Sequence, residues 1–368
     1  MRDWGDILKL YSSSFTHSRQ NDVSAYPFHF FLFLSMKWLI TGGCGFIGTN
    51  LIRRLMDNGG HSIRVFDNLS IGTRGDLQDV ASFSEQAPDR PGPLPEGEAV
   101  QLVVGDVRDA ELTHRVASGA DVIVHLAAQA GVPSSVDDPR HDFEVNALGT
   151  FNLLEAARHQ DVDRFVFASS AAPIGDCEPP IHEEMACSPK APYGASKLAG
   201  EGYCSAYHGT FGIDTVALRF GNVYGPRSGR KSSVVAKFIR RAMEGKTLEI
   251  YGDGQQTRDF IHTDDLVRAI TLAATQTDVG GEIFQIATNS ETTINDLTNR
   301  LVGLLEEVMG LDEVDVTHTE PRTGDVRRNY SDTSKAKNVL GWTPEIALTE
   351  GLRRTMRSFR LARQHTGS

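Results

Sequence analysis

Cysteine is scarce in this chain, and its four residues, Cys44, Cys177, Cys187 and Cys204, form no C-x-x-C pair. Such spacing excludes a zinc knuckle and a disulfide framework, no metal is expected, and a reducing cytoplasm fits best. Positive charge is short as well: 37 Lys and Arg stand against 48 Asp and Glu, a formal net charge of −11. An acidic chain offers no overall basic field to nucleic acid or an anionic membrane, so an anionic ligand must be held by local arginines. Long apolar runs are missing too. Phe28 to Leu34 is too short to cross a bilayer and lacks the charged n-region and small-residue cleavage site of a secretory signal. What is present is 40% hydrophobic residues over 368 positions, enough to bury a large core in two structural units or one enlarged α/β domain.

The segment Lys37-Trp-Leu-Ile-Thr-Gly-Gly-Cys-Gly-Phe-Ile-Gly48 is the most informative. An apolar strand runs directly into Gly42-x-x-Gly45-x-x-Gly48 and then into the helical pattern Thr49 to Met56. Glycines let the backbone turn sharply against the phosphates of a dinucleotide, and the following helix presents unpaired N–H groups to the anion. Ser62 to Phe66 reads as the next strand and ends on Asp67, roughly 20 residues on, where a carboxylate can bind ribose hydroxyls and favours NAD over NADP. Because this unit starts immediately after Met36, residues 1–35 are expected to be a non-native or disordered leader, with Met36 the native start.

Strand and helix patterns alternate from there. The Pro-rich stretch Ser82 to Glu98 is expected to be a surface loop without regular structure. Val100 to Val104, Asp121 to His125, Arg164 to Ala168 and Asp214 to Leu218 read as strands; Asp142 to His159 and Tyr193 to Tyr207 read as helices. This βαβ alternation calls for an α/β fold with a doubly wound parallel sheet of Rossmann type. Residues 36–220 are expected to form the dinucleotide-binding domain. Residues 221–368, where shorter strands and scattered prolines take over, are expected to form mainly a smaller substrate-binding α/β domain with segments returning to the first.

Tyr193-Gly-Ala-Ser-Lys197 places a phenol and an ammonium four residues apart, on one face of a helix. A neighbouring cation stabilises a phenolate and brings a tyrosine toward use as a general base. Ser169 and Ser170 end the strand that precedes it, at the side of an open α/β sheet where ligands bind, so a serine hydroxyl can reach both the tyrosine and a substrate.

With those residues in view, the chain resembles the extended short-chain dehydrogenase/reductase family, in particular its nucleotide-sugar epimerases and dehydratases. The resemblance rests on Thr41 to Gly48, His125-Leu-Ala-Ala128, Asn146, Ser169-Ser170, Tyr193-x-x-x-Lys197, Arg219-Phe-Gly-Asn-Val-Tyr-Gly-Pro226, Tyr251 to Gly254 with Arg258 to His262, and Arg322-Thr-Gly-Asp325. It implies Ser170, Tyr193 and Lys197 as catalytic residues. For NAD it implies the glycine loop with Phe46 and Ile47, then Asp67, Asn68, Asp106 and Val107 at the adenosine half, and Leu126, Ala127, Ala128 and Asn146 beside Tyr193 and Lys197. It implies a nucleotide sugar, expected to carry UDP, gripped at its pyrophosphate by Asn222, Arg258 and Arg322, with Asp325 and Asn329 nearby, and a homodimer paired through the two helices.

Relatives that eliminate water carry an Asp-Glu pair directly after the catalytic serine or threonine, and uronate decarboxylases a glutamate two residues after it. Here Ala171 and Ala172 stand at those places and cannot transfer protons, so 4-epimerisation through a transient 4-ketose is the expected activity. A 4,6-dehydratase or a uronate epimerase or decarboxylase is the alternative, and a non-catalytic NAD sensor the alternative of another class. Pro173-Ile174 departs from the family's usual Val-Tyr. Asn329 occupies a position that is a tyrosine in some epimerases, and its smaller side chain is expected to admit N-acetylhexosamine as well as hexose nucleotides.

Overall fold

The computed structural model describes residues 35–311, 313–321 and 326–366. The leader expected at residues 1–35 therefore lies almost wholly outside the described residues, as do Arg322 and Asp325. The first seven strands are β1 (Lys37–Thr41), β2 (Ser62–Asp67), β3 (Ser84–Gln86), β4 (Ala99–Val104), β5 (Val122–His125), β6 (Arg164–Ser170) and β7 (Asp214–Phe220). Then follow β8 (Asn222–Tyr224), β9 (Leu248–Tyr251), β10 (Thr257–Arg258), β11 (Phe260–His262) and β12 (Ile283–Ile286). Eight of them make one sheet in the order β12-β7-β6-β5-β1-β2-β4-β3, and every pairing in it is parallel. The order reverses between β1 and β5, which opens a crevice above their C-terminal ends.

Both faces of this sheet are covered, so its strands are apolar nearly throughout, as parallel strands must be. Side chains alternate between the faces: Trp38 and Ile40 of β1 join Val65, Val124, Val166 and Leu218 on one side, while Leu39 joins Phe66, Ile123, Phe165 and Phe167 on the other. Helix α1 (Phe46–Asn58) contributes Leu51, Ile52 and Leu55 to the first core. Helices α2 (Gly149–His159) and α3 (Pro192–Phe211) contribute Leu153, Leu154, Cys204 and Tyr207 to the second. A third core, with Phe238, Ile250, Phe260, Leu301 and Met356, organises the C-terminal elements, from which β12 returns to the main sheet beside β7. Among the described residues no helix is long and apolar enough to cross a membrane.

Two expectations change here. The Pro-rich stretch is not wholly irregular: Ser84–Gln86 precedes its prolines, keeps all its N–H donors, and pairs with β4 at the sheet edge. The helix expected over residues 142–159 is interrupted. A short helix, Pro139–Asp142, passes into a π-helical turn, Phe143–Leu148, before α2 begins. Asn146, in this turn, uses its amide on other partners: Nδ2 donates to Asp142 Oδ1 at 2.8 Å and to the Gln129 carbonyl at 3.0 Å, and Oδ1 accepts from Gln129 N at 2.8 Å. A widened turn of this kind commonly marks a functional site.

Candidate active site

A cleft of about 1490 Å³ lies over the C-terminal ends of β1, β2, β4, β5 and β6. Its floor is the glycine loop. Gly42 has a φ of +66°, and a Cβ there would stand 2.7 Å from Ala127 N, so only glycine fits. A Cβ on Gly48 would come within 2.5 Å of the Gly42 carbonyl, which keeps the start of α1 tight against the loop. No side chain caps α1 and no acidic residue stands in its first turn. Its first N–H groups and its positive dipole end thus stay available to a phosphate, and the cradle fits a dinucleotide pyrophosphate.

The adenosine end is acidic and held in place. Asp67 is buried, and its oxygens accept from Cys44 N at 2.9 Å and Leu69 N at 2.8 Å. Burial raises its pKa against those two bonds. Asp106 takes two bonds from the Arg108 guanidinium, at 3.0 and 2.9 Å, and one from Asn68 Nδ2 at 3.1 Å; Arg108 foremost holds it down to about 2. Asn68, Asp106 and Val107 all line the cleft.

Leu126, Ala127 and Ala128 form its back wall just past β5. Ala127 N donates to Thr41 Oγ1 at 3.1 Å, and that hydroxyl pairs with His125 Nδ1 at 2.7 Å. On its other side His125 Nε2 meets Thr150 Oγ1 at 3.0 Å. Burial, reinforced by the charge of Lys197, pushes the imidazole pKa down to about 3, so it is neutral. Asn146 is not itself on the cleft surface; it anchors the Gln129 backbone behind the wall and approaches Ser196 Oγ at 3.2 Å.

Tyr193, Lys197 and Ser170 come together at the inner end. Pro192 opens α3 at a position where its missing N–H costs nothing, which sets Tyr193 in the first turn and Lys197 one turn on. Tyr193 and Ser170 both line the cleft, and the Ser170 side chain acts on the Tyr193 phenol. Lys197 lies buried beneath them, donating to the Ala168 carbonyl at 2.9 Å, with its Nζ 6.0 Å from the Tyr193 ring centre. Burial brings this ammonium down to about 8, while the Asp142 and Glu201 carboxylates oppose that fall. Burial lifts the Tyr193 phenol to about 12, with the Ser170 side chain opposing and Asp142 adding to the rise.

At the other end Asn222 and Arg258 line the cleft. The Arg258 guanidinium is aimed by the carbonyls of Thr257, at 2.6 Å, and Val326, at 2.7 Å. Asn329 lies outside the lining residues described; its backbone N meets Thr257 Oγ1 at 3.4 Å, one residue from Arg258. Sequence reasoning missed Arg227, Arg230, Lys231, Lys237 and Gln256, which also line the cleft. The signal was available: four cations between Arg227 and Lys237 are conspicuous in an acidic chain.

A glycine-loop crevice at the switch point of a parallel sheet, with a serine, a tyrosine and a lysine assembled at its inner end, defines a dinucleotide-dependent α/β enzyme. The chain belongs to the NAD dependent epimerase/dehydratase family, whose model matches residues 38–287, and its cofactor is NAD. It is 37% identical over 330 residues, 88% of this chain and 99% of the relative, to a UDP-glucose 4-epimerase of Mycolicibacterium smegmatis. A solved UDP-glucose 4-epimerase of Thermotoga maritima with UDP-glucose superposes with a TM-score of 0.78 at 35% identity, covering 89% of this chain and 99% of that one. A UDP-N-acetylglucosamine 4-epimerase of Methanobrevibacter ruminantium, solved with UDP-N-acetylmuramic acid, gives 0.78 at 30% identity with the same coverage.

Proposed function

We propose that this enzyme inverts carbon 4 of a uridine diphosphate sugar, with Ser170, Tyr193 and Lys197 as its catalytic residues. The observation that carries the reading is the meeting of Tyr193 and Ser170 on the cleft beside the buried Lys197 ammonium, with Ala171 and Ala172 following Ser170. Tyr193 accepts the proton of the sugar 4-hydroxyl. Ser170 donates toward that oxygen and holds it in line, and Lys197 stabilises the phenolate from beneath. The glycine loop, Asp67 and the Leu126 to Ala128 wall would hold NAD, which would supply reversible hydride acceptance at carbon 4. After the 4-ketose has turned over in the cleft, Tyr193 gives its proton back to the new hydroxyl. Neither alanine can carry a proton, so elimination of water or loss of carbon dioxide has no acid or base at those positions.

Residues 36–220 would bind NAD and residues 221–368 mainly the sugar nucleotide, with Asn222, Arg258 and Arg322 on its pyrophosphate and Asp325 and Asn329 beside the sugar. Bidentate guanidinium forks suit such a dianion in an acidic protein. Two chains would pair in the cytoplasm through Phe143 and Leu148 of the π-helical turn and Tyr203 and Phe211 of α3, large apolar side chains left exposed on neighbouring elements.

Incubation with UDP-glucose, UDP-N-acetylglucosamine, UDP-glucuronate and dTDP-glucose, with products resolved by proton NMR, tests this. The expected products are the carbon 4 epimers of UDP-glucose and UDP-N-acetylglucosamine, at rates within about tenfold of each other. A 6-deoxy-4-keto sugar or released carbon dioxide would overturn the reading, as would bound NAD that no sugar nucleotide ever reduces.

A further inference from the structure

The loop from Arg227 to Ser233 crosses the cleft toward the cofactor side, and most of its cations are matched. Arg227 pairs with Asp79 at 3.7 Å and Arg230 with Asp76, while Lys237, just beyond in α4 (Val234–Met243), pairs with Glu249 at 3.7 Å. Lys231 differs. It lines the cleft; its ammonium donates to the Val223 carbonyl at 2.8 Å and stands 5.1 Å from the centre of the Phe46 ring, and no described carboxylate pairs with it. Burial alone accounts for the fall of its pKa to about 8.

An ammonium has three N–H donors, and Val223 takes one. A desolvated cation without a counter-charge is unfavourable, and a carbonyl with an aromatic face offsets that cost only in part. Its two neighbours locate what would complete it. Phe46 opens the helix whose N-terminus forms the pyrophosphate cradle, and Val223 follows Asn222 on the strand at the substrate end. Lys231 therefore stands between the glycine-loop cradle and the Asn222 end of the cleft.

We propose that Lys231 is a pyrophosphate-binding residue of the cleft, its two remaining donors taking phosphate oxygens of either the dinucleotide or the sugar nucleotide. The sugar-nucleotide case rests on the proposed function; the dinucleotide case does not.

The test is isothermal titration of the cofactor-stripped full chain with NAD, ADP-ribose and UDP, for wild type, Lys231→Met and Lys231→Arg. Lys231→Met should lose tenfold or more in affinity for at least one ligand, and Lys231→Arg should stay within about threefold of wild type. A loss shared by NAD and ADP-ribose assigns the contact to the dinucleotide; a loss confined to UDP assigns it to the sugar nucleotide. The ligand-free melting temperature of Lys231→Met should not fall, because an unmatched charge has been removed; if that variant does not fold, Lys231→Gln takes its place. Affinities within twofold of wild type for all three ligands would overturn the proposal, as would a loss that arginine fails to restore. Failure of the epimerase reading would appear instead as intact NAD and ADP-ribose binding without turnover.

Discussion

The Glu201 carboxylate and the Arg219 guanidinium meet at 2.7 Å in the interior, joining α3 to β7 directly beneath the inner end of the cleft. Ser169 Oγ donates to the same carboxylate at 2.6 Å, so this pair also fixes the end of β6 on which Ser170 sits. Both side chains are almost wholly out of water, and removing one partner leaves the other charge unmatched. Glu201→Gln should therefore lower the unfolding free energy by about 3–5 kcal/mol in urea denaturation. Replacing both residues by leucine should recover most of that loss. Equal losses in single and double variants would show that the pair is not the cause.

Tyr193→Phe should keep the fold and retain NAD while turnover of UDP-glucose falls about 100-fold or more, the usual scale for losing an acid–base group. Comparison of melting temperature, bound NAD absorbance and epimerisation rate separates these effects. Turnover near that of wild type would place the proton chemistry elsewhere.

His125 gives a signed pH dependence. Its folded pKa of about 3 lies below the ordinary 6.5, so between those values the unfolded chain binds the proton that the folded chain refuses. Stability then rises with pH through that window; acidification from 6.5 toward 3 draws it down, and above 6.5 this contribution is constant. Urea unfolding from pH 4 to pH 8 should show the difference between wild type and His125→Gln shrinking as the pH falls. A difference that does not change with pH would contradict a buried neutral imidazole.

Light scattering at micromolar concentration should give the mass of two chains. Phe143→Glu combined with Tyr203→Glu should give one, because it sets charges into an apolar contact. A monomeric wild type would remove the assembly proposal without touching the active site.

Much of the fold and of the inner site was legible because it is written in local chemistry. Gly42 must be glycine for its own φ and for the nearness of Ala127, and the unbroken apolar run of β1 marks a strand covered on both faces. Tyr193 and Lys197 share a face through helical spacing alone, and the strand ending at Ser170 points them at the crevice. What only the tertiary structure decided are contacts between segments far apart in the chain, whose partners no local pattern specifies. Nothing local to Asn146 shows that its amide meets the Gln129 backbone within a π-helical turn. Asn329 is given its role by its position in a motif, and only the folded chain sets its backbone N against Thr257 Oγ1, one residue from Arg258. Glu201 is an ordinary helical acid until Arg219 is folded beneath it, and Lys231 one cation among several until its neighbours find carboxylates and it finds Phe46. Short-range sterics and periodicity act wherever the sequence places them, whereas desolvation and charge pairing exist only once packing has brought the partners together and excluded water.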